Sequence, residues 1–325
     1  MDNSKIPTFV THVTAQLQKA GFEAYLVGGC VRDTILGRTP KDWDITTNAT
    51  PSQVEEVFAD LKTVYENDFG TVTVLNIAPD RASRLPGEAS ARSIETTDVD
   101  NVAQVTTYRS EGGYSDFRRP DSVTYETELA KDLERRDFTI NAIAYDPITG
   151  DIKDIFNGIK DIKDKVVRCV LDANDRFKED ALRMMRAIRF STELDFAISG
   201  ETLSAIVTHG TLLKEISSER IRDEFLKIMN SKNPSMGIAI MQKTGTLTYV
   251  IPELIEGVGC EQKGAHIYDV FEHLIRSMQC AVDKEYPFEI RLAALFHDIG
   301  KPPTRHWSVD KKDYTFYGHE VVGTK

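Results

Sequence analysis

The stretch Leu26-Val27-Gly28-Gly29-Cys30-Val31-Arg32-Asp33, followed by Lys41-Asp42-Trp43-Asp44-Ile45, decides how this chain of 325 residues is read. A tight glycine turn leads into two carboxylates one residue apart. Side chains alternate across an extended strand, so Asp42 and Asp44 are expected on one face, with Trp43 and Ile45 turned into the interior. Parallel carboxylates make a seat for Mg²⁺, an ion held by one or two carboxylates together with phosphate oxygens. Glycine at positions 28 and 29 lets backbone N–H groups approach a phosphate that a Cβ would hold off. Arg32 follows closely enough to reach a triphosphate. An isolated Asp-x-Asp would equally suit a solvated strand edge, but joined to Gly-Gly and Arg32 it is the equipment of a phosphoryl or nucleotidyl transferase.

The length allows two or three domains with a well-buried core. No apolar run reaches the roughly eighteen residues of a membrane span, and Met1–Lys5 lacks the basic start and apolar stretch of a signal peptide. A soluble cytoplasmic protein with no membrane partner is expected. Cys30, Cys169, Cys260 and Cys280 are scattered, which fits reduced thiols rather than a disulfide framework or a zinc site. A net charge of −11 excludes polyanion binding by the whole surface and confines any nucleic-acid contact to a local basic patch. One such patch sets Arg176, Lys178, Arg183, Arg186 and Arg189 against Glu179 and Asp180; taken alone it reads as a solvated helix face laced with ion pairs.

Patterning predicts a helix over residues 5–20, a strand over 23–27 and a short helix over Arg32–Leu36 that Gly37 ends. The acidic strand covers Trp43–Thr46, and a helix with Pro51 at its first position runs through Phe58. Further strands are expected at 71–77, 102–108 and 140–145, with a long polar loop over 76–100 and a second polar stretch over 110–120. Beyond Asp151 the apolar spacing turns helical. Strands alternating with helices around the acidic strand make the first 150 or so residues an α/β domain.

Two further segments carry chemistry. Arg135-Arg136-Asp137-Phe138-Thr139-Ile140-Asn141 brings a guanidinium fork for phosphates together with hydrogen-bonding groups for a ribose, at a helix C-terminus whose dipole also favours the cations. In Phe177–Phe190, read as one helix, Ala181, Met184, Met185 and Ile188 share an apolar face, while Asp180, Arg183, Arg186 and Arg189 fall on the opposite arc. A carboxylate acceptor and a guanidinium donor one turn apart can address the Watson–Crick edge of a base, or simply pair with each other.

These segments, with Ser218-Glu219-Arg220-Ile221-Arg222-Asp223-Glu224, resemble the class II tRNA nucleotidyltransferases, the CCA-adding enzymes and the related bacterial poly(A) polymerases. The resemblance covers residues 20–230 nearly continuously. It implies an α/β nucleotidyltransferase head domain, a mixed sheet with helices, over 1–150. An all-α neck with a nucleotide-selecting helix over 151–235 follows, then a helical body with a partial HD-type domain over 236–325. It implies addition of C and A nucleotides to the tRNA 3′ end from CTP and ATP, with Mg²⁺ on Asp42 and Asp44 as the catalytic acids. Gly28, Gly29, Arg32 and Arg136 would hold the nucleotide, Asp180 and Arg183 would select its base, and Arg186 and Arg189 would also contact it. Addition of CC only, of A only, or of poly(A) stays open, because the connection between Asn76 and Val105 is longer than is usual in the family.

A second resemblance joins Phe271-Glu272-His273, His297-Asp298-Ile299-Gly300-Lys301 and Gly318-His319-Glu320 to the HD phosphohydrolases. It makes His273, His297 and Asp298 a candidate second divalent-metal site, with His266 on the same helical face as an alternative to His273. The chain ends before the further Asp such a site takes and before an RNA-gripping tail, so a truncated protein is expected. The rival readings are a metal-dependent phosphohydrolase at this region and a noncatalytic tRNA-binding protein. No feature sets the oligomeric state.

Overall fold

The structure is a computed structural model that describes residues 3–67, 70–77, 101–114, 120–262 and 267–324. The chain divides into two compact units, one formed by Met1–Ser115, Pro120–Asp164 and Arg168–Asp172, the other by Asp116–Arg119, Lys165–Val167 and Ala173–Lys325.

The first unit is built on a seven-stranded sheet of β1 (Ala24–Val27), β2 (Asp44–Thr47), β3 (Lys62–Asn67), β4 (Thr71–Leu75), β5 (Val102–Thr107), β8 (Ala144–Tyr145) and β9 (Ile152–Lys153). Its order is β3-β4-β5-β2-β1-β8-β9, antiparallel throughout except for the parallel pair β2–β5, in which Asp44 lies beside Gln104. Strands β6 (Arg109–Gly112) and β7 (Ser122–Tyr125) form a separate hairpin. Leu26, Ile45, Val72, Val74, Ala103 and Val105 are fully buried in the sheet, as are Val10, Val13 and Leu17 of the helix Thr8–Lys19. Trp43, immediately before β2, is buried.

Several boundaries move. The short helix runs Gly29–Ile35, three residues earlier than Arg32, so Gly29 is its first helical residue and Gly28, at φ 81°, its N-cap. The acidic strand begins at Asp44, and Asp42 stands before it in an exposed bend, so strand alternation does not orient its carboxylate. Over 140–145 only Ala144–Tyr145 is strand; Thr139–Asn141 is a 3₁₀ turn. There the backbone closes on itself, with Asn141 N–H donating to the Phe138 carbonyl (2.9 Å) and Ala142 N–H to that of Thr139 (3.0 Å), while Thr139 Oγ1 donates to Asp161 (2.7 Å) and Asn141 Nδ2 to Asp137 (3.1 Å). Within the expected loop over 76–100, residues 78–100 lie outside the described residues, as does His266.

The second unit is helical, with two small sheets pairing β10 (Val166–Val167) with β11 (Ala197–Ile198), and β12 (His306–Ser308) with β13 (Asp313–Thr315). The helix expected over 177–190 is two helices, Ala173–Glu179 and Leu182–Leu194. Asp180 breaks it: its carboxylate accepts the backbone N–H of Leu182 at 3.1 Å, a side-chain bond two residues on that opens a new helix. Ala181, Met184, Met185 and Ile188 are nonetheless all fully buried.

Candidate nucleotide site and histidine cluster

In the first unit the glycine turn, the acidic strand and the Arg-Arg segment converge. A Cβ on Gly28 would lie 3.3 Å from Arg136 Nη1 and 3.8 Å from Asp44 Oδ2, so the glycine holds open a small cradle between a cation and an acid. Arg136 is fixed there by Asp132, which is wholly buried and receives Arg136 Nη2 at 2.9 Å. The other carboxylate oxygen takes Arg135 Nη2 at 2.6 Å and Nε at 3.0 Å. Thr46, two residues along the strand from Asp44, donates its hydroxyl to Asp132 at 3.1 Å.

Burial disfavours the charge on Asp132, yet the two guanidiniums prevail and hold its pKa down, to about 2. Burial likewise opposes the charge on Arg136, but Asp132, with Asp44 and Asp137 beyond it, keeps its pKa above the ordinary arginine value. Cys30 has its thiol pushed up to about 12, first by burial and then by the field of Asp44, with a smaller push from Asp42.

Arg32 is 8% exposed and donates from Nη1 to Asn141 Oδ1 at 2.7 Å and from Nε to Asp33 at 2.9 Å. Asn141 thus ties the Arg-Arg-Asp-Phe-Thr-Ile-Asn segment to the turn. Gly29 lies against the Arg32 guanidinium, its would-be Cβ 3.7 Å from Nη2. The hairpin joins the same network through Glu111, which receives Arg109 Nη2 at 2.8 Å and Arg135 Nη1 at 3.3 Å.

Sequence reasoning missed Asp132 and Glu111, and it read Asn141 only as a hydrogen-bonding group for a ribose, whereas its amide oxygen accepts from Arg32. Only Asp132 left a local signal, an acid three and four residues before Arg135 and Arg136 on one helix. A divalent cation suits an exposed and a half-buried carboxylate with an open glycine cradle and a neighbouring guanidinium, because a hard ion that keeps some waters also shares phosphate oxygens.

In the second unit Asp180 and Arg183 do not pair with each other through their side chains. Arg183 Nη1 bonds Glu179 at 2.6 Å, while Asp180 receives Arg220 through Nη2 at 3.0 Å and Nη1 at 3.4 Å. Arg220 stands on the helix Ser218–Met229, whose Glu224 one turn later binds Arg189 Nε at 2.6 Å. That helix therefore grips both ends of the segment that bears Asp180, Arg183 and Arg189. Ser217 is its N-cap residue by position but makes no side-chain capping bond. Arg189 also bonds Glu193 at 2.8 Å and lies 4.2 Å from the centroid of Phe190, and Arg186 lies 5.5 Å from the same ring.

The same unit brings His273, His297 and Asp298 together, with one ligand atom of each within 4.8 Å of the others. The two imidazole Nε2 atoms are 3.1 Å apart and stand 3.4 and 3.2 Å from Asp298 Oδ2. His319 joins them, its Nε2 3.3 Å from Asp298 Oδ1. His297 Nδ1 lies 3.0 Å from the carbonyl of Ala294 and His319 Nδ1 2.7 Å from that of Phe316. Those bonds place the proton on Nδ1 and turn the Nε2 lone pairs inward, the outer-shell arrangement of metal-binding histidines. Lys301 Nζ bonds Asp298 at 2.6 Å and Gln262 at 2.7 Å. The hydrogen bond to Asp298 raises the pKa of His297, while that bond and Lys301 hold Asp298 below the usual carboxylate range despite burial.

Among the described residues no helix is long and apolar enough to cross a membrane. Family models match in chain order: a poly A polymerase head domain over 24–168, a probable RNA- and SrmB-binding site of polymerase A over 195–257, and an HD domain over 268–325. A curated protein named CCA-adding enzyme from Lactobacillus delbrueckii subsp. bulgaricus is 44% identical over 249 residues, 75% of this chain and 57% of its own length. Another of that name, from Lactobacillus helveticus, is 48% identical over 217 residues, 66% of this chain and 48% of its own. The chain spans about half the length of these curated relatives. Among solved structures, the Bacillus stearothermophilus CCA-adding enzyme in complex with CTP aligns with a TM-score of 0.63 at 31% identity, over 88% of this chain and 65% of that one. The Thermotoga maritima CCA-adding enzyme complexed with tRNA aligns with a TM-score of 0.62 at 23% identity, over 89% and 62%, and shares the fold. By these matches and its ordered motifs, the chain carries a poly A polymerase head domain and an HD domain, and it is similar in sequence and fold to CCA-adding enzymes.

Proposed function

We propose that this chain adds C and A nucleotides to the 3′ end of tRNA without a nucleic-acid template, using CTP and ATP and releasing pyrophosphate. The observation that carries the reading is the cradle at Gly28, where Arg136, pinned by buried Asp132, faces the open side of the turn beside Asp44. The triphosphate lies along the turn, with Arg32 and Arg136 offsetting its charge and Asn141 fixing the direction of Arg32. The tRNA 3′-hydroxyl attacks the α-phosphate and pyrophosphate leaves, a reaction in which positioning and fixed charge do most of the work. Asp42 and Asp44 would hold Mg²⁺, which when bound lowers the pKa of the attacking hydroxyl and offsets charge on the leaving group.

Asp180 and Arg183 select the base: a carboxylate accepts from an exocyclic amino group and a guanidinium donates to ring nitrogen or carbonyl. Because Glu179 and Arg220 hold these two side chains separately, each enters base recognition already oriented. Arg186 and Arg189 stand on the same helix as further nucleotide contacts. We divide the chain into head, neck and body at about residues 150 and 235 and place its work in the cytoplasm, where tRNA is matured. Incorporation of radiolabelled CTP alone, ATP alone and both into tRNA lacking its 3′ end tests the reading. Two C additions with CTP and a terminal A only when both are present is the expected product set; a CC end, a lone A or a long A tract marks the corresponding alternative, and no incorporation overturns polymerisation.

The inward-turned Nε2 atoms of His273, His297 and His319 around Asp298 favour a second divalent-metal centre with phosphohydrolase chemistry. Metal-dependent phosphate release from 2′,3′-cyclic nucleotides, lost in His297→Ala with incorporation intact, is its expected signature.

A further inference from the structure

Between Lys301 and His319 the chain runs out and back through β12 and β13, with Trp307 directly opposite Tyr314. Their rings pack edge to face, centroids 5.1 Å apart. Arg305 lays its guanidinium over Tyr314, 3.7 Å from the centroid. Lys311 Nζ sits 5.3 Å from the ring centroid of Tyr317 and donates to its hydroxyl at 2.7 Å. The core does not absorb these rings: Trp307 is 42% and Tyr317 75% exposed. Aromatic faces held out in water and interleaved with cations are what stacked bases and their phosphates bind.

The local charge selects a polyanion over another apolar surface. In a chain of net charge −11, residues 301–319 set Lys301, Arg305, Lys311 and Lys312 against Asp310 and Asp313 alone. Both ends of the ribbon run into the histidine cluster. Lys301, bonded to Asp298, has its Nζ 5.6 Å from the ring centroid of Phe316, and the carbonyl of Phe316 is the partner of His319 Nδ1.

We propose that the β12–β13 hairpin is a stacking platform for the bases of single-stranded RNA whose terminal phosphate is directed to the His273–His297–His319–Asp298 cluster. This rests on reading the cluster as a phosphate-directed metal centre, so platform and centre are tested apart.

The probes are short oligo(C) and oligo(A) RNAs, with and without a 3′-phosphate, titrated into the protein in EDTA and again with Zn²⁺ while tryptophan emission is followed. The chain has two tryptophans, and Trp43 is buried, so Trp307 supplies the quenchable signal. Saturable quenching in EDTA is expected, with a 3′-phosphate tightening binding only when Zn²⁺ is present. Trp307→Ala should weaken binding, read by a label on the RNA, about tenfold. Trp307→Phe should retain most of it, and Lys311→Gln with Lys312→Gln should flatten the salt dependence. Thermal melting shows that each variant is folded.

Absence of quenching at saturating RNA, or unchanged affinity in folded Trp307→Ala, overturns the platform. Conversion of a dimer to a monomer by Trp307→Ala in sedimentation overturns it in favour of a contact between copies. Quenching that ignores the 3′-phosphate with Zn²⁺ present overturns the link to the cluster. Nucleotide incorporation by the head, measured in parallel, is expected to be unchanged in every variant.

Discussion

Arg220 and Asp180, forty positions apart in sequence, are joined through both terminal guanidinium nitrogens of the arginine at 3.0 and 3.4 Å. Asp180 spends one oxygen on the N–H of Leu182 as well, so its carboxylate is held from two sides. A base-selecting group works by leaving a mismatched partner unsatisfied, and that discrimination needs a fixed direction. Arg183→Ala should therefore relax choice among the four nucleoside triphosphates by ten- to a hundredfold while changing triphosphate affinity less. Arg220→Ala should reproduce part of that loss, and Arg220→Lys less of it. Competition of UTP and GTP against CTP and ATP in the incorporation assay measures both; unchanged selection in Arg183→Ala contradicts the assignment.

Asp42→Ala combined with Asp44→Ala removes both acids of the proposed Mg²⁺ seat. Incorporation should fall on the order of a thousandfold, since several kcal/mol of charge stabilisation go with the ion. Asp42 is exposed and Asp44 half-buried, so the fold should survive and the melting temperature should change little. Retained incorporation would remove the metal assignment.

Gly28→Ala tests the cradle by steric means. At φ 81° an L-residue is strained by about 1–3 kcal/mol, and the new methyl meets Arg136 Nη1 at 3.3 Å. The expected result is a lowered melting temperature together with a raised KM for the nucleotide. If KM is untouched in the folded variant, the triphosphate does not use this turn.

Asp132 links stability to pH. Its pKa is lowered from 3.8 to about 2, so its stabilisation is fully present above the unfolded value and is lost as pH falls through the folded one. The contribution is about 2 kcal/mol, which places an acid-labile limb between about pH 4 and 2. Asp132→Asn should lower stability at neutral pH, because two largely buried guanidiniums lose a charged partner they share, and should flatten that limb. Urea melts across pH check it; a wild-type limb in Asp132→Asn would assign acid lability elsewhere.

Those residues also mark what the sequence can and cannot say. Ile45, Met184, Met185 and Ile188 are buried on the faces that local periodicity assigns them. The Gly-Gly turn, the acidic strand and the histidine cluster are legible because their chemistry sits in short, ordered motifs. The pairing of Arg220 with Asp180 is not, because nothing local tells a guanidinium which carboxylate it will meet. Nor is the β6–β7 hairpin, whose strand Arg109–Gly112 has little intrinsic strand preference and is held by Glu111 between two arginines. The helix break at Asp180 belongs to the same class: an apolar stripe continues across it, and only the carboxylate's bond to Leu182 reveals it.

The histidine cluster yields the last prediction. An imidazole must be neutral to ligate, and its bond to Asp298 raises the pKa of His297 above the ordinary 6.5. Divalent-metal affinity should therefore decline as pH falls through that raised value, sooner than it would for an unperturbed histidine. Because a ligand that binds only the folded state stabilises it by about 2.7 kcal/mol at a hundred times its Kd, excess Zn²⁺ or Mn²⁺ should raise the melting temperature of the helical unit at pH 8. EDTA should reverse the shift. His297→Ala and His319→Ala should each reduce it, and Lys301→Met should test whether the ammonium on Asp298 opposes the ion or orients its carboxylate. An opposing charge predicts tighter metal binding in that variant, whereas an orienting one predicts weaker binding. A metal shift that is absent at pH 8, or that survives His297→Ala undiminished, would deny the cluster its role as a metal centre.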